Sequence, residues 1–117
     1  MRFSSFGGAL LCGMLLARAV LADDAGEPVQ CTLNYAPAAA CRMTDRVADD
    51  GVHTIVFAVG GRRLQFTGTS QTGWWSGRLD GQPAMGYELN RGHVVFSTTD
   101  LKTRLEWWSD GNEHGSY

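Results

Sequence analysis

Turn-forming residue pairs divide the chain from residue 50 onward into short segments of about ten residues. Asp-Gly and Gly-Gly pairs accept the positive φ angles of tight hairpin turns. Short strands at such intervals are typical of β-sandwiches and β-barrels. A further break is expected near Asp100. The turn signals are Asp50-Gly51, Gly60-Gly61, Thr72-Gly73, Asp80-Gly81, Arg91-Gly92 and Asp110-Gly111.

Strand-forming residues fill the segments between these turns. The segment Val52–Val59 is apolar on both faces, and the later segments alternate between apolar and polar residues. With Gln30–Tyr35 and Cys41–Val47 added, the pattern gives about eight strands. Because consecutive strands usually pair, it predicts an all-β fold, a small antiparallel meander that forms a closed or partly open barrel. A two-layer β-sandwich is the alternative.

The same alternation predicts which side chains face the interior. Because neighbours in a strand point to opposite faces, Trp74 and Trp108 are expected outside and more exposed than Trp75 and Trp107. The outer face is also expected to present Ser76, Arg78, Glu88, Arg104 and Glu106. The predicted core is Ile55, Phe57, Leu64, Phe66, Trp75, Leu79, Met85, Tyr87, Leu89, Val94, Phe96, Leu105 and Trp107.

Residues 1–22 have the layout of a secretory signal peptide. Arg2 supplies a positive charge, and Phe6–Ala17 is an apolar stretch too short for a bilayer, which needs about 20 residues. Cleavage is expected after Ala19 or Ala22, and the second site leaves a single β domain over residues 23–117. The protein is therefore predicted to be exported, to the periplasm or outside the cell, with no transmembrane segment after cleavage.

Cysteine usage agrees with export. Cys12 leaves with the predicted signal peptide, and Cys31 and Cys41 remain for an oxidising compartment. The sequence predicts a disulfide between them that ties the first two strands together. A metal or redox pair is the alternative, but the spacing lacks a close Cys-x-x-Cys arrangement and the further ligands that zinc needs.

Charge and motifs exclude several classes of function. The chain has 10 basic and 12 acidic residues, net −2, and loss of Arg2 and Arg18 with the signal peptide gives 8 − 12 = −4. Without a basic excess, no nucleic-acid partner is expected. His53, His93 and His114 are scattered along the chain, so no metal site is predicted, and no cofactor is expected.

No catalytic motif is recognisable in the sequence, which favours a non-catalytic protein. Tryptophan and arginine are enriched at binding hot spots, and indoles stack on sugar rings. We therefore expect a binding protein of a bacterial-type cell envelope or the extracellular space, which recognises a glycan or a partner protein. The predicted binding residues are Trp74, Trp108, Arg78 and Arg104.

Two other functions stay open at this point. One is a small hydrolase of envelope polymers with Glu88 or Glu106 as its acid, and the other is a structural protein whose tryptophans only pack.

The chain also resembles the exported c-type lysozyme inhibitors of bacteria in its size, export signal and strand rhythm. The resemblance implies a small antiparallel barrel with a disulfide and a function as an inhibitor. The Ser-Gly-containing inhibitory loop of those proteins has no clear counterpart here. The nearest segments are Ser76-Gly77-Arg78 and Thr69-Ser70, and no functional residue is carried over.

Overall fold

The structure, a computed structural model, describes residues 26–111. Its eight antiparallel strands each pair with the next, and the last pairs with the first, so the sheet closes into a barrel. The predicted all-β meander is therefore confirmed in its closed form. The strands are β1 (Glu27–Leu33), β2 (Ala39–Val47), β3 (His53–Val59), β4 (Arg62–Gln71), β5 (Trp74–Leu79), β6 (Gln82–Asn90), β7 (His93–Thr98) and β8 (Arg104–Trp108).

Five of the six predicted turn pairs lie between consecutive strands from β2 to β7, and the sixth, Asp110-Gly111, follows β8. The break expected near Asp100 separates β7 from β8. The β5–β6 turn shows why these pairs form tight turns. Asp80 and Gly81 have φ angles of 49° and 82°, and glycine and aspartate tolerate this left-handed region better than most residues. The signal peptide predicted for residues 1–22 lies outside the described residues, as do residues 23–25 and 112–117.

Phenylalanine rings fill the barrel interior. Phe66 and Phe96 stack with ring centroids 4.2 Å apart, and Phe57 lies 6.1 Å from Phe96. Trp75 and Trp107 pack against this core, as predicted. The other predicted core residues that the structure buries are Ile55, Leu64, Leu79, Val94 and Leu105.

The prediction for β6 was wrong by one position. Met85, Tyr87 and Leu89 are exposed, whereas Ala84 and Gly86 face the interior. A one-residue shift of this kind exchanges the two faces of a strand.

The reason for the shift lies on neighbouring strands. A Cβ atom added to Gly86 would lie 2.6 Å from the Phe96 ring and 3.1 Å from Cβ of Trp75. Only a small residue fits between these side chains, so the large side chains of β6 point outward.

The close contact between β4 and β5 also depends on glycine. Gly68 and Gly77 are cross-strand partners, and a Cβ atom on either one would overlap the backbone of the other strand. Each strand can therefore approach its neighbour only because neither residue has a side chain.

Cys31 and Cys41 form the predicted disulfide, with their Cα atoms 6.0 Å apart. Both cysteines are buried in the core, where the bond joins β1 to β2. Because β1 also pairs with β8, the disulfide fixes one side of the seam that closes the barrel. Within residues 26–111, no helix has the length and hydrophobicity needed to cross a membrane.

Candidate functional site

The outward row of β6 forms the floor of a groove on the outer barrel wall. Trp74 of β5 lies directly opposite Tyr87, and Ser97 of β7 lies opposite Met85. Directly opposed residues point to the same face, so these four side chains form one continuous patch across three strands. Trp74, Met85 and Tyr87 each keep more than 40% of their surface exposed (43%, 49% and 42%).

Tyr35, in the β1–β2 turn, forms one side of the groove. Asn34 and Tyr35 have φ angles of 53° and 66°, and the Ala36 amide donates to the Leu33 carbonyl at 3.1 Å. Two consecutive positive φ angles in a turn that this hydrogen bond closes define a type I′ turn. The turn is attached to β8, because the Asn34 amide donates to the Arg104 carbonyl at 2.7 Å. Tyr35 is consequently held with 78% of its surface exposed.

Leu101, in the β7–β8 turn, also lines the groove. Its φ angle is 64°, and its amide donates to the Thr98 carbonyl at 2.9 Å. The next amide, of Lys102, donates to the Asp100 carboxylate at 3.0 Å, which fixes the turn around it. A leucine in the left-handed region is strained by about 1–2 kcal/mol, yet this side chain is 82% exposed. Packing against the core therefore does not explain the strain.

The groove encloses about 550 Å³ and is largely apolar. Five of the seven large apolar side chains that are exposed in residues 26–111 line it. An apolar concentration of this kind is typical of an interaction site rather than of scattered surface hydrophobics. The lining residues are Tyr35, Trp74, Met85, Gly86, Tyr87, Ser97, Thr98, Thr99, Leu101 and Arg104.

Arg104 is the one charged residue among these lining residues, and it is held from two sides. Its guanidinium lies 4.5 Å from the centroid of the Tyr35 ring and donates to Oε1 of Glu106. Oε2 of Glu106 in turn hydrogen-bonds Nε2 of buried His93 at 2.6 Å. This chain from His93 through Glu106 to Arg104 fixes the guanidinium beside the groove.

Burial and hydrogen bonding act in opposite directions on the Glu106 carboxyl. Burial alone would raise its pKa, but the hydrogen bonds and charges of His93 and Arg104 outweigh burial and hold the pKa below its ordinary value. Burial likewise opposes the charge on Arg104, whereas hydrogen bonds to Glu106 and Tyr87 raise the Arg104 pKa. Both groups are therefore charged at neutral pH.

The structure brings together two of the four predicted binding residues. Trp74 and Arg104 both line the groove. Arg78 is exposed on the same strand as Trp74 but lies outside the groove, where its guanidinium donates to the Gly81 carbonyl at 3.0 Å.

Trp108 does not match its predicted exposure. Its side chain points to the outer face, whereas that of its neighbour Trp107 packs against the core. Only 6% of the surface of Trp108 is accessible, however. The His93 ring packs against it at 4.9 Å between centroids. The expectation that Trp108 would be more exposed than Trp107 was therefore wrong, because its cross-strand neighbour His93 covers it.

Sequence reasoning missed the four other large apolar residues of the groove, which are Tyr35, Met85, Tyr87 and Leu101. Met85 and Tyr87 were assigned to the core, because alternation alone does not say which of two faces turns inward. For Leu101 the sequence does contain a signal of a binding role, because a leucine is unexpected in a turn between two strands.

A second opening lies at the barrel end where β6 ends and β7 begins. It encloses about 300 Å³ between Trp75 and Trp107, with Val94 at its base and Glu88 at its rim. Glu88 is the cross-strand partner of core residue Val94, so it faces this opening. The prediction that Glu88 lies on the outer face was therefore wrong. Trp107 Nε1 is buried here without a hydrogen-bond acceptor in residues 26–111.

Glu88 and Glu106 lie on opposite faces of the barrel wall. Glu88 faces the opening, whereas Glu106 is opposite Val95 on the outer face. They cannot flank one substrate bond as a pair of carboxylates would. In the part of the chain that the structure describes, no group of three or more His, Cys, Asp or Glu residues is arranged to hold a metal ion.

Comparison of the chain with known protein families, with curated proteins and with solved structures finds no match.

Proposed function

We propose that the protein is an exported, non-catalytic binding protein of a bacterial-type cell envelope or extracellular space, and that its groove binds an apolar segment of a partner protein. The observation that supports this proposal most strongly is that five of the seven large apolar side chains exposed in residues 26–111 line this one groove. Tyr35 and Leu101 adopt left-handed backbone conformations, and both expose apolar side chains beside the same groove. In both turns the left-handed conformation belongs to the hairpin turn itself, and it presents the side chain to the groove rather than to the core.

The chemistry of the groove favours a protein partner over a glycan. Met85 and Leu101 are aliphatic and have no flat π-face for stacking on a sugar ring. A glycan site also needs convergent polar groups, and the Thr98 hydroxyl is already engaged with the Thr103 carbonyl at 3.3 Å. Tryptophan, tyrosine and arginine around an apolar centre are the residues enriched at protein–protein hot spots.

Export is supported by the disulfide and by the predicted signal peptide. Disulfides persist in oxidising compartments and are rare in the cytosol. The Cys31–Cys41 bond is buried inside the barrel, where it acts as part of the structure.

The resemblance to lysozyme inhibitors gains no support from the local structure. Thr69 and Ser76 are cross-strand partners inside β4 and β5, so the two candidate segments lie in paired strands and not in a loop. A hydrolase with Glu106 as its acid is also disfavoured, because the hydrogen bonds with His93 and Arg104 lower the pKa of Glu106.

The proposal is tested with peptides enriched from a random-sequence display library on the immobilised wild-type protein. We expect enriched peptides to contain a large apolar side chain beside an acidic one, which would match Arg104. Their affinity for the Trp74→Ala protein should fall at least tenfold, about 1.4 kcal/mol, because exposed Trp74 forms the groove floor. Fluorescence anisotropy of labelled peptides gives the Kd values.

Arg78→Ala is the matched control, because Arg78 lies on β5 outside the groove. Its Kd values should stay within about twofold of wild type. A c-type lysozyme and soluble cell-wall glycan fragments are titrated in parallel. If glycan fragments bind in a Trp74-dependent manner while no peptide is enriched, the protein-partner proposal is wrong.

A further inference from the structure

The opening at the barrel end has rigid aromatic walls. The Trp75 ring makes edge-to-face contacts with three other rings. The distances between ring centroids are 4.8 Å to His53, 5.7 Å to Phe96 and 6.0 Å to Phe66. Trp107, on the other side, packs against Phe57 at 6.4 Å. Because these contacts fix both indoles, the opening does not need to reorganise when it takes up a ligand.

Glu88 is the one charged residue among the described residues that line the opening. Within residues 26–111, the exposed Glu88 carboxylate has no hydrogen-bond or ion-pair partner, although its backbone amide donates to the Gly73 carbonyl at 3.1 Å. None of the described residues that line the opening is basic. A second carboxylate, that of Asp45, lies on the inner side of the same barrel end and accepts from His53 at 3.0 Å.

We propose that this opening is a second binding site, specific for an organic ammonium group. Indole is the aromatic ring that attracts cations most strongly, and the attraction increases where water is excluded. Glu88 supplies the opposite charge at the rim, and a volume of about 300 Å³ accommodates a small alkylammonium ion. This site is distinct from the groove of the proposed function, because it lies at the end of the barrel interior.

Other ligand classes fit the opening less well. An anion would be repelled by Glu88. A hard metal cation needs several oxygen ligands, and Glu88 is the only carboxylate among the described lining residues. A neutral apolar molecule would gain no attraction from the Glu88 carboxylate at the rim.

The test follows the indole N–H signals of the ¹⁵N-labelled protein by NMR during titration with choline. Signals of Trp75 and Trp107 should shift saturably, with a Kd on the order of 1 mM. Signals of Trp74 and Trp108 serve as internal controls and should not move, because neither residue lines the opening. Single Trp→Phe variants assign the four signals, and sodium chloride keeps the ionic strength constant.

Two comparisons separate the contributions of charge and shape. The uncharged isostere 3,3-dimethylbutan-1-ol should bind at least tenfold more weakly than choline. Glu88→Gln should weaken choline binding about fivefold, whereas Asp49→Asn, which removes an exposed carboxylate from the β2–β3 turn, should not. Butylammonium distinguishes a lysine-like ligand from a quaternary one, and tighter binding of either cation supports the site.

The proposal is overturned if the alcohol binds as tightly as choline, or if Glu88→Gln leaves the affinity unchanged. It is also overturned if neither cation shifts the Trp75 and Trp107 signals at about ten times the expected Kd. None of these outcomes bears on the proposed binding of peptides to the groove, because that binding is tested separately with the Trp74→Ala protein.

Discussion

At Gly86 the absence of a side chain leaves room for the packing of two neighbouring strands. The Phe96 ring and the Trp75 side chain occupy the space that a Cβ atom would need. Gly86→Ala should therefore destabilise the protein by about 1–3 kcal/mol, as overpacked core substitutions do. Urea unfolding monitored by circular dichroism measures the loss.

Gly60→Asn is the control for Gly86→Ala. Gly60 has a φ angle of 54°, which asparagine tolerates, and a Cβ atom there meets nothing within 4 Å. Its unfolding free energy should change by less than about 0.5 kcal/mol. If Gly86→Ala is as mild as this control, the packing account of β6 is wrong.

The face of β6 shows why part of the site was not predictable. Met85, Tyr87 and Leu89 alternate cleanly, and such a row is usually buried. What reverses it is the bulk of Phe96 and Trp75 on other strands, which a local pattern does not contain. The turns and most of the core depend on local signals, so these were predicted correctly.

Strand β8 contains the ion pair that holds the guanidinium beside the groove. Glu106→Gln should destabilise the protein by about 1–3 kcal/mol at neutral pH, because His93 and Arg104 lose a charged, partly buried partner. Glu27→Gln is the control, since Glu27 is exposed at the start of β1. Chemical unfolding of the three proteins at neutral pH measures both effects.

The same pair predicts the pH dependence of stability. The pKa of Glu106 in the folded protein lies below its ordinary value of 4.5. The charged carboxylate therefore stabilises the fold fully above about pH 4.5, and this contribution is lost as the pH falls through the lowered pKa. The stability difference between wild type and Glu106→Gln should shrink over that window. A difference that stays constant into strong acid would contradict the assignment.

For the whole molecule, closure of the barrel depends on β1, which pairs with both β2 and β8. The disulfide fixes β1 to β2 across a separation of 10 residues. Replacing both Cys31 and Cys41 with serine should cost about 3 kcal/mol by the chain-entropy argument. Thermal unfolding under non-reducing conditions measures the loss, and an unchanged Tm would show that the bond is dispensable.

Export is tested by intact-mass analysis of the protein recovered outside the cytoplasm. The mass should lack residues 1–19 or 1–22 and should include the disulfide. A protein that retains its first residues, or that has two free thiols, would contradict the predicted signal peptide and compartment.

The binding groove is tested by measuring both the stability and the peptide affinity of the Leu101→Gly protein. Glycine relieves the left-handed strain at φ 64° but removes a groove side chain. We expect an unfolding free energy equal to that of wild type or up to about 1 kcal/mol higher, and an affinity for the enriched peptides that is reduced at least tenfold. A protein that loses stability while keeping full affinity would show that Leu101 serves the fold, and would contradict the proposed binding groove.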